Sequence, residues 1–224
     1  MKAIHLTLTS AISSIAILTQ MASADDFTMK DGKLMAIEDG ESIEVMQGVT
    51  LQDGTEITRG GDVTSADGRT WKLQEGDKLM EDGTFRARIF MNGVLKENGN
   101  VLIVRAGEKL ELSKETTLTD GTRVMTDGSV IPKDGEKWSL KDNDAILIDG
   151  RPLLEGSVII KDSKPHLVKE CMGEPLDEKT KLGDTEIHPD LTVDFKGDGD
   201  ETALKEGDIV KPDGTILRAD RTKK

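Results

Sequence analysis

Apolar and polar residues alternate along this chain over short stretches, and each stretch is closed by a turn-forming pair. Alternation with a period of two places apolar side chains on one face of a strand and polar ones on the other. The clearest pairs on one face are Ile43 with Val45, Trp71 with Leu73, Ile146 with Ile148, and Ile57 before Val63. A helix needs about 12 residues to be stable in isolation, which these intervals do not provide. The pattern therefore predicts an all-β fold of very short antiparallel strands.

Eleven Asp-Gly and two Asn-Gly pairs supply the turns, and in the middle of the chain they recur every seven residues, at Asp120, Asp127 and Asp134. Both pairs tolerate the positive φ that a type I′ hairpin requires at its two central positions. The stretches 73–77 and 204–208 share the pattern Leu-x-Glu-Gly-Asp. They are typical of a three-residue loop with glycine in the left-handed conformation.

The chain also repeats itself. A shift of 67 residues superposes residues 30–83 on 97–150 without a gap, including Trp71 on Trp138. A third, degenerate copy lies 131 residues from the first. Its alignment calls for a two-residue insertion near Cys171 and Met172 and a deletion before Leu182, and it places Thr202 where the other copies have tryptophan. Such repeats are the signature of tandem structural units.

The resulting organisation is a signal peptide at 1–24, repeat units at 25–88, 89–155 and 156–217, and a tail at 218–224. Each unit of about 55–65 residues is predicted to hold six to eight strands, as a β-meander or a small barrel, and to lean on its neighbours because so small a domain buries little surface. Segments 85–90 and 151–160 are expected to be connecting strands. The recurring apolar columns that mark the expected core face are Ile37/Val104/Val168, Leu51/Leu118/Leu182, Ile57/Val124/Ile187 and Leu79/Ile146/Val210.

The first 24 residues indicate export. Lys2 is followed by an uncharged apolar stretch and then by Ala22, Ser23 and Ala24, the small-x-small pattern before a signal-peptidase site. Cleavage would leave Asp25 as the first residue. The apolar stretch is far shorter than the roughly 20 residues of a membrane span, and no cysteine follows it to carry a lipid. We expect a periplasmic or secreted protein that is not a lipoprotein and has no membrane span.

Composition argues against several classes of function and of binding site. The formal net charge is −13, which makes nucleic acid an unfavourable partner. A single cysteine can form neither an intramolecular disulfide nor a cysteine-based zinc site. With 3% aromatic residues, the chain offers few rings for stacking on sugars. Trp71 and Trp138 stand two residues before a core leucine and are interpreted as core anchors rather than a ligand platform.

Three series of residues carry a family resemblance. They are Lys-Asp-Gly-Lys-x-Met at 30–35, Leu-x-Asp-Gly-Thr-x-Val-x-Thr-Asp-Gly-x-Val at 118–130 with Lys-Asp-Gly at 133–135, and Leu-x-Glu-Gly-Asp at 73–77. The chain resembles exported bacterial proteins grouped as domain of unknown function 6799, strongly in the first two copies and weakly in the third. The resemblance implies an exported module built from repeats. It brings no activity, ligand or catalytic residue.

Catalytic motifs do not emerge from the sequence. His166 and His188 both adjoin proline in the third copy, which is typical of solvated loop positions, and no motif of a serine hydrolase or metalloprotease accompanies them. A hydrolase built by the third copy around these histidines and nearby aspartates is the least favoured hypothesis. Cys171 is interpreted as incidental and without a counterpart in the other copies.

Calcium is the stronger alternative. The densest acidic segments are 194–201 and 142–144, but Lys196 and the lack of a glutamate at the twelfth position do not fit an EF-hand loop. Asp77, Asp144 and Asp208 recur after the same turn, and we interpret them as turn-capping residues rather than metal ligands.

The sequence thus favours a non-enzymatic exported repeat protein, structural or binding in function, whose partner is a protein or an envelope component. It assigns no catalytic, cofactor-binding or metal-ligating residue and no cofactor. A calcium-binding repeat protein is the alternative.

Overall fold

The computed structural model describes residues 24, 26–195 and 201–219, and these form strands and turns without a helix. The predicted all-β class is therefore confirmed. Among the described residues there is accordingly no apolar helix of a length that crosses a membrane. The predicted signal peptide lies outside the described residues except for Ala24.

Residues 26–86 form two antiparallel sheets. The strands are β1 (Asp26–Lys30), β2 (Lys33–Glu38), β3 (Glu41–Glu44), β4 (Val49–Thr50), β5 (Glu56–Ile57), β6 (Asp62–Thr64), β7 (Thr70–Lys72), β8 (Lys78–Met80) and β9 (Phe85–Arg86). One sheet has the order β3-β2-β1-β8-β9 and the other β4-β5-β6-β7. The second sheet is thus inserted, as a meander, between β3 and β8 of the first.

Residues 93–153 repeat this topology. The strands are β10 (Gly93–Glu97), β11 (Asn100–Arg105), β12 (Glu108–Glu111), β13 (Thr116–Thr117), β14 (Arg123–Val124), β15 (Ser129–Ile131), β16 (Trp138–Ser139), β17 (Ala145–Leu147) and β18 (Pro152–Leu153). Their sheets have the orders β12-β11-β10-β17-β18 and β13-β14-β15-β16.

The described residues of the third unit have the same two-sheet topology. The strands are β19 (Val158–Lys161), β20 (Lys164–Lys169), β21 (Met172–Pro175), β22 (Thr180–Leu182), β23 (Thr185–Ile187), β24 (Thr192–Phe195), β25 (Glu201–Ala203), β26 (Ile209–Val210) and β27 (Ile216–Leu217). Their sheets are β21-β20-β19-β26-β27 and β22-β23-β24-β25. Each unit therefore has nine strands in two sheets in the part of the chain described, rather than six to eight in one meander or barrel. Strands of two residues are too short to show an alternating pattern.

Strand register corrects the alignment of the third copy. Lys169 pairs with Met172 as Glu38 pairs with Glu41, so Cys171 occupies the turn position of Gly40. Cys171 therefore has counterparts, and the expected insertion beside it is absent. The copy is shortened instead between Leu182 and Thr185, which pair directly across a two-residue turn. Thr202 pairs with Val193 as Trp71 pairs with Val63, which confirms the predicted replacement of tryptophan.

The turns fall into two kinds. Two consecutive residues of positive φ, as a type I′ turn requires, occur in the first two hairpins of each unit, for example at Asp31 (φ 53°) and Gly32 (φ 72°). Most of the other Asp-Gly turns have positive φ only at glycine, as at Gly54 (φ 89°), so the prediction of type I′ geometry was wrong there. The Asp53 carboxylate accepts a hydrogen bond from the N–H of Thr55 (2.9 Å), which holds a three-residue loop instead.

A separate core lies within each unit. In the first unit Leu34 and Leu79 from the larger sheet pack with Ile57, Val63 and Leu73 of the insertion. The equivalent cores of the other units centre on residues such as Val94 and Ile146, and Val158 and Val210. The columns beginning at Ile57 and Leu79 are buried in all three units, as predicted.

A fourth apolar cluster joins the units. The opposite faces of the two larger sheets in units two and three contribute Leu95, Val104, Ala145, Leu153, Ile159, Val168 and Ile209, and the first connecting segment adds Ala87, Ile89 and Phe90. We call this the shared cluster. From the Ile37/Val104/Val168 column, Val104 and Val168 therefore belong to the shared cluster rather than to the unit cores, and Ile37 in the first unit is partly exposed. Ile43 and Ile148, expected on a core face, are each 45% exposed.

The first and third units also meet through their backbones. Ala87 and Gly173 exchange N–H to carbonyl hydrogen bonds of 2.8 and 2.9 Å. Beside them, Arg86 forms ion pairs with Glu170 (2.6 Å) and Glu174 (3.2 Å). The segments 85–90 and 151–160, expected to be connecting strands, contain β9, β18 and the start of β19, whereas residues 87–90 and 154–157 lie outside the strands.

Candidate functional site

A cleft of about 850 Å³ lies between the first and third units. Its floor in the first unit is Trp71 on β7, the edge strand of the smaller sheet, with Phe85 on β9 beside it. The two rings are tilted by 60° with centroids 5.9 Å apart, within the range of favourable aromatic contacts. An apolar floor at the open edge of a sheet is a common setting for ligand binding.

Trp71 serves two purposes in this position. It packs against the core of the first unit while remaining partly exposed to the cleft. Its indole Nε1 is buried and has no hydrogen-bond acceptor among the described residues. The interpretation as a core anchor was therefore incomplete, because an edge strand leaves one side of the ring uncovered.

An Asp-Gly-Thr turn forms one end of the cleft. The Asp53 carboxylate accepts hydrogen bonds from the N–H (2.9 Å) and hydroxyl (2.7 Å) of Thr55. It lies so close to Gly83 that a side chain at that position would collide with it. Gly83 also has φ 82°, so both the backbone and the packing require glycine there.

The third unit supplies the opposite wall. His166, Glu174, Pro175 and Asp177 line it, and Asp177 forms an ion pair with Arg69 of the first unit (3.2 Å). Acidic and basic side chains thus surround the aromatic floor. The arrangement can hold a ligand that combines an apolar group with polar, hydrogen-bonding edges.

The second unit has an equivalent but smaller groove of about 380 Å³. Trp138, Asp120 and Gly150 stand there in the places of Trp71, Asp53 and Gly83, and Pro152 replaces Phe85. Trp138 is also partly buried and packs against its own core. The third unit has Thr202 at the tryptophan position.

His166 is not the solvated loop residue that the sequence indicated. It lies within β20, is 4% exposed, and its Nδ1 is 3.1 Å from the carbonyl oxygen of Lys164. Burial lowers its pKa. The neighbouring proline misled the prediction, because Pro165 is itself a residue of β20.

His188 lies elsewhere, after β23 in the smaller sheet of the third unit, whereas His166 belongs to the larger sheet. Its Nε2 is 3.0 Å from Asp194 and 3.5 Å from Glu186. A hydrogen bond from Lys179 lowers the pKa of Glu186. Sequence reasoning missed this cluster, although the Glu-x-His spacing was a signal, because residues two apart in extended chain place their side chains on one face.

The repeated aspartates cap turns, as predicted. Asp77 accepts hydrogen bonds from the N–H groups of Gln74 and Arg88, each 2.8 Å long. Asp144 and Asp208 do the same with the residues three before and eleven after them. Each carboxylate therefore links the turn just before it to the segment that follows the last strand of the unit. Asp198 and Asp200 of the acidic segment 194–201 lie outside the described residues.

Cys171 occupies a tight turn with φ 59°. Its Sγ donates to the carbonyl oxygen of Asn143 (3.2 Å), and burial raises its pKa to about 12. A thiol with so high a pKa reacts slowly, because the thiolate is the nucleophile.

Comparison with known proteins agrees with the duplicated architecture. A search of curated proteins found no match. The profile of the family described as Domain of unknown function (DUF6799) matches twice, at residues 24–85 and 91–151. The boundaries of the two matches lie within a few residues of the boundaries of the first two nine-strand units. Together the matches cover more than half of the chain. The third unit, which lies outside the two matched ranges, has the same strand order. By its first two repeats, the chain belongs to the DUF6799 family.

Proposed function

We propose that this chain is an exported, non-enzymatic binding protein, and that the cleft over Trp71 holds an extended polypeptide segment of its partner. The cleft itself is the observation that carries the proposal: it combines paired aromatic rings with the free edge of β7. Edge strands recruit extended peptides by backbone hydrogen bonds, and adjacent pockets select side chains.

The side chains around the cleft support binding rather than catalysis. Asp53 holds the backbone N–H of Thr55 in its own turn, and Asp77 holds the backbone N–H groups of Gln74 and Arg88. Arg69 and Glu174 are engaged in ion pairs between units. Groups committed in this way shape a rigid surface, whereas a general acid or base needs an atom that can reach the substrate.

A selection from a phage-displayed random peptide library tests the binding proposal. The mature protein is immobilised for the selection. The affinity of enriched, dye-labelled peptides for the unaltered protein and for each variant is then measured by fluorescence anisotropy, which does not depend on tryptophan. We expect saturable binding that is weakened at least about tenfold in Trp71→Ala, since aromatic anchors dominate such interfaces. Trp138→Ala is the matched control and should bind normally. Peptides that bind Trp71→Ala as tightly as the unaltered protein would contradict the proposal.

Export is tested separately. The proposal rests here on the charge and small-residue pattern of residues 1–24. Mass spectrometry of the protein recovered outside the cytoplasm should show Asp25 as the first residue. Recovery from the cytoplasm with residues 1–24 attached would count against export without bearing on the cleft.

A further inference from the structure

The three side chains around His188 are brought together by strand geometry. Glu186 on β23 faces Asp194 on β24 in the ladder, and His188 follows Glu186 by two residues. The His188 Nε2 atom lies 3.0 Å from an Asp194 oxygen and 3.5 Å from a Glu186 oxygen. All three possible ligand atoms lie within 4.8 Å of one another.

Zinc is the metal that fits this donor set, with the separation between His188 and Asp194 lengthening from 3.0 Å to about 3.3 Å when the ion enters. A tetrahedral zinc ion with ligands at about 2.0–2.2 Å requires its ligand atoms to be about 3.3–3.6 Å apart. An imidazole nitrogen with two carboxylate oxygens is a donor set that zinc accepts, with water completing the coordination. Calcium, in contrast, takes six to eight oxygen ligands, and this cluster offers a nitrogen and few oxygens.

The scaffold around the cluster is firmly held. Ile187 and Val193, which alternate with the three polar residues, are completely buried in the core of the third unit. The loop between the strands is closed by hydrogen bonds from the His188 N–H to Thr192 and from the Leu191 N–H to His188, each 3.0 Å. Ligands held by a rigid scaffold need little rearrangement when an ion binds.

The cluster is particular to the third unit. Strand register places Glu56, Thr58 and Thr64 at the same positions in the first unit. The second unit has Arg123, Met125 and Ile131 there. Only the third unit combines imidazole with two carboxylates, so the other two copies are internal comparisons.

We propose that Glu186, His188 and Asp194 form a zinc-binding site in the third unit. Lys179 is its competitor, because its ammonium group lies 2.9 Å from the Glu186 oxygen. The Lys179 side chain is 64% exposed and can swing into solvent when the ion enters. This site is separate from the cleft over Trp71, and neither proposal depends on the other.

Titration calorimetry of the tag-free mature protein with zinc chloride, in a buffer that does not chelate zinc, tests the site. We expect one ion per chain. Glu186→Gln, His188→Ala and Asp194→Asn should each weaken binding at least about tenfold, the range seen when a metal site loses an interacting group. Glu56→Gln, the same strand position in the first unit, is the matched control and should bind as the unaltered protein does. Circular dichroism before titration confirms that each variant is folded.

Two further binding measurements make the test more specific. Lys179→Met should bind zinc more tightly, because the competing positive charge is removed. Calcium chloride should produce no comparable binding, because the site lacks the required oxygens. The proposal is overturned if zinc does not bind, if the three variants bind as Glu56→Gln does, if Lys179→Met binds no more tightly, or if calcium binds equally well.

Discussion

Single carboxylates hold the turns of this protein in place. Asp144 is 7% exposed and accepts N–H groups from Lys141 and Glu155, both at 3.0 Å. Asparagine at this position replaces one carboxylate oxygen, which accepts a hydrogen bond, by an NH2 group, which donates one. That NH2 group would face a backbone N–H and could not bond to it. We expect Asp144→Asn to lower the free energy of unfolding by about 2 kcal/mol, the usual contribution of hydrogen bonds to a charged group. Urea denaturation measures this, with the exposed turn residue Asp134→Asn as control; equal stability of both variants would contradict the capping role.

His166 gives stability a dependence on pH. Burial lowers its pKa from the usual 6.5. Below about pH 6.5 the unfolded chain therefore takes up a proton that the folded chain does not, and the free energy of unfolding falls as the pH drops. His166→Gln should lose this part of the decrease between pH 7.5 and about 5.5. Urea midpoints across that range test it, and identical slopes in both proteins would show that His166 does not contribute.

The hairpin turns of this protein differ in how readily their residues adopt the left-handed conformation. In the second unit Ala106 (φ 50°) occupies the position of Asp39, and it is exposed. A left-handed conformation costs an alanine about 1–2 kcal/mol, whereas asparagine adopts it readily. Ala106→Asn should therefore raise the free energy of unfolding by about 0.5–1 kcal/mol. The β-branched Ala106→Val should lower it, and thermal melts in which the two variants shift in the same direction would contradict this reading of the turn.

The strands and repeats could be predicted because both are local. Alternation, Asp-Gly turns and the 67-residue shift each depend on residues that are close in sequence or identical between copies. The Cys171 turn was misjudged because a degenerate copy aligned by letters alone has no register to check it, whereas the pairing of Lys169 with Met172 fixes it. The cleft and the cluster around His188 depend on side chains brought together between strands and units, for which the sequence has only weak signals.

The alternating pattern of apolar and polar residues also did not predict how the units associate. Val158, Ile159 and Ile160 form a continuous apolar run, and such runs indicate strands buried on both faces. Alternate residues of this run enter the core of the third unit and the shared cluster. The sequence therefore contained a signal for packing between units, but not the identity of the opposing face, which depends on the assembled units.

The repeats form one body through the shared cluster, and Ile159→Ala tests this association most directly. Ile159 belongs to the third unit, which has no tryptophan, so in a Trp71→Phe background the fluorescence of Trp138 reports on the second unit alone. Removing buried methylene groups from a common core should lower the free energy of unfolding reported by Trp138 by about 2–4 kcal/mol, in step with the loss of the circular dichroism signal. A Trp138 transition unchanged by Ile159→Ala would show that the second unit unfolds independently and would contradict its association with the third unit through the shared cluster.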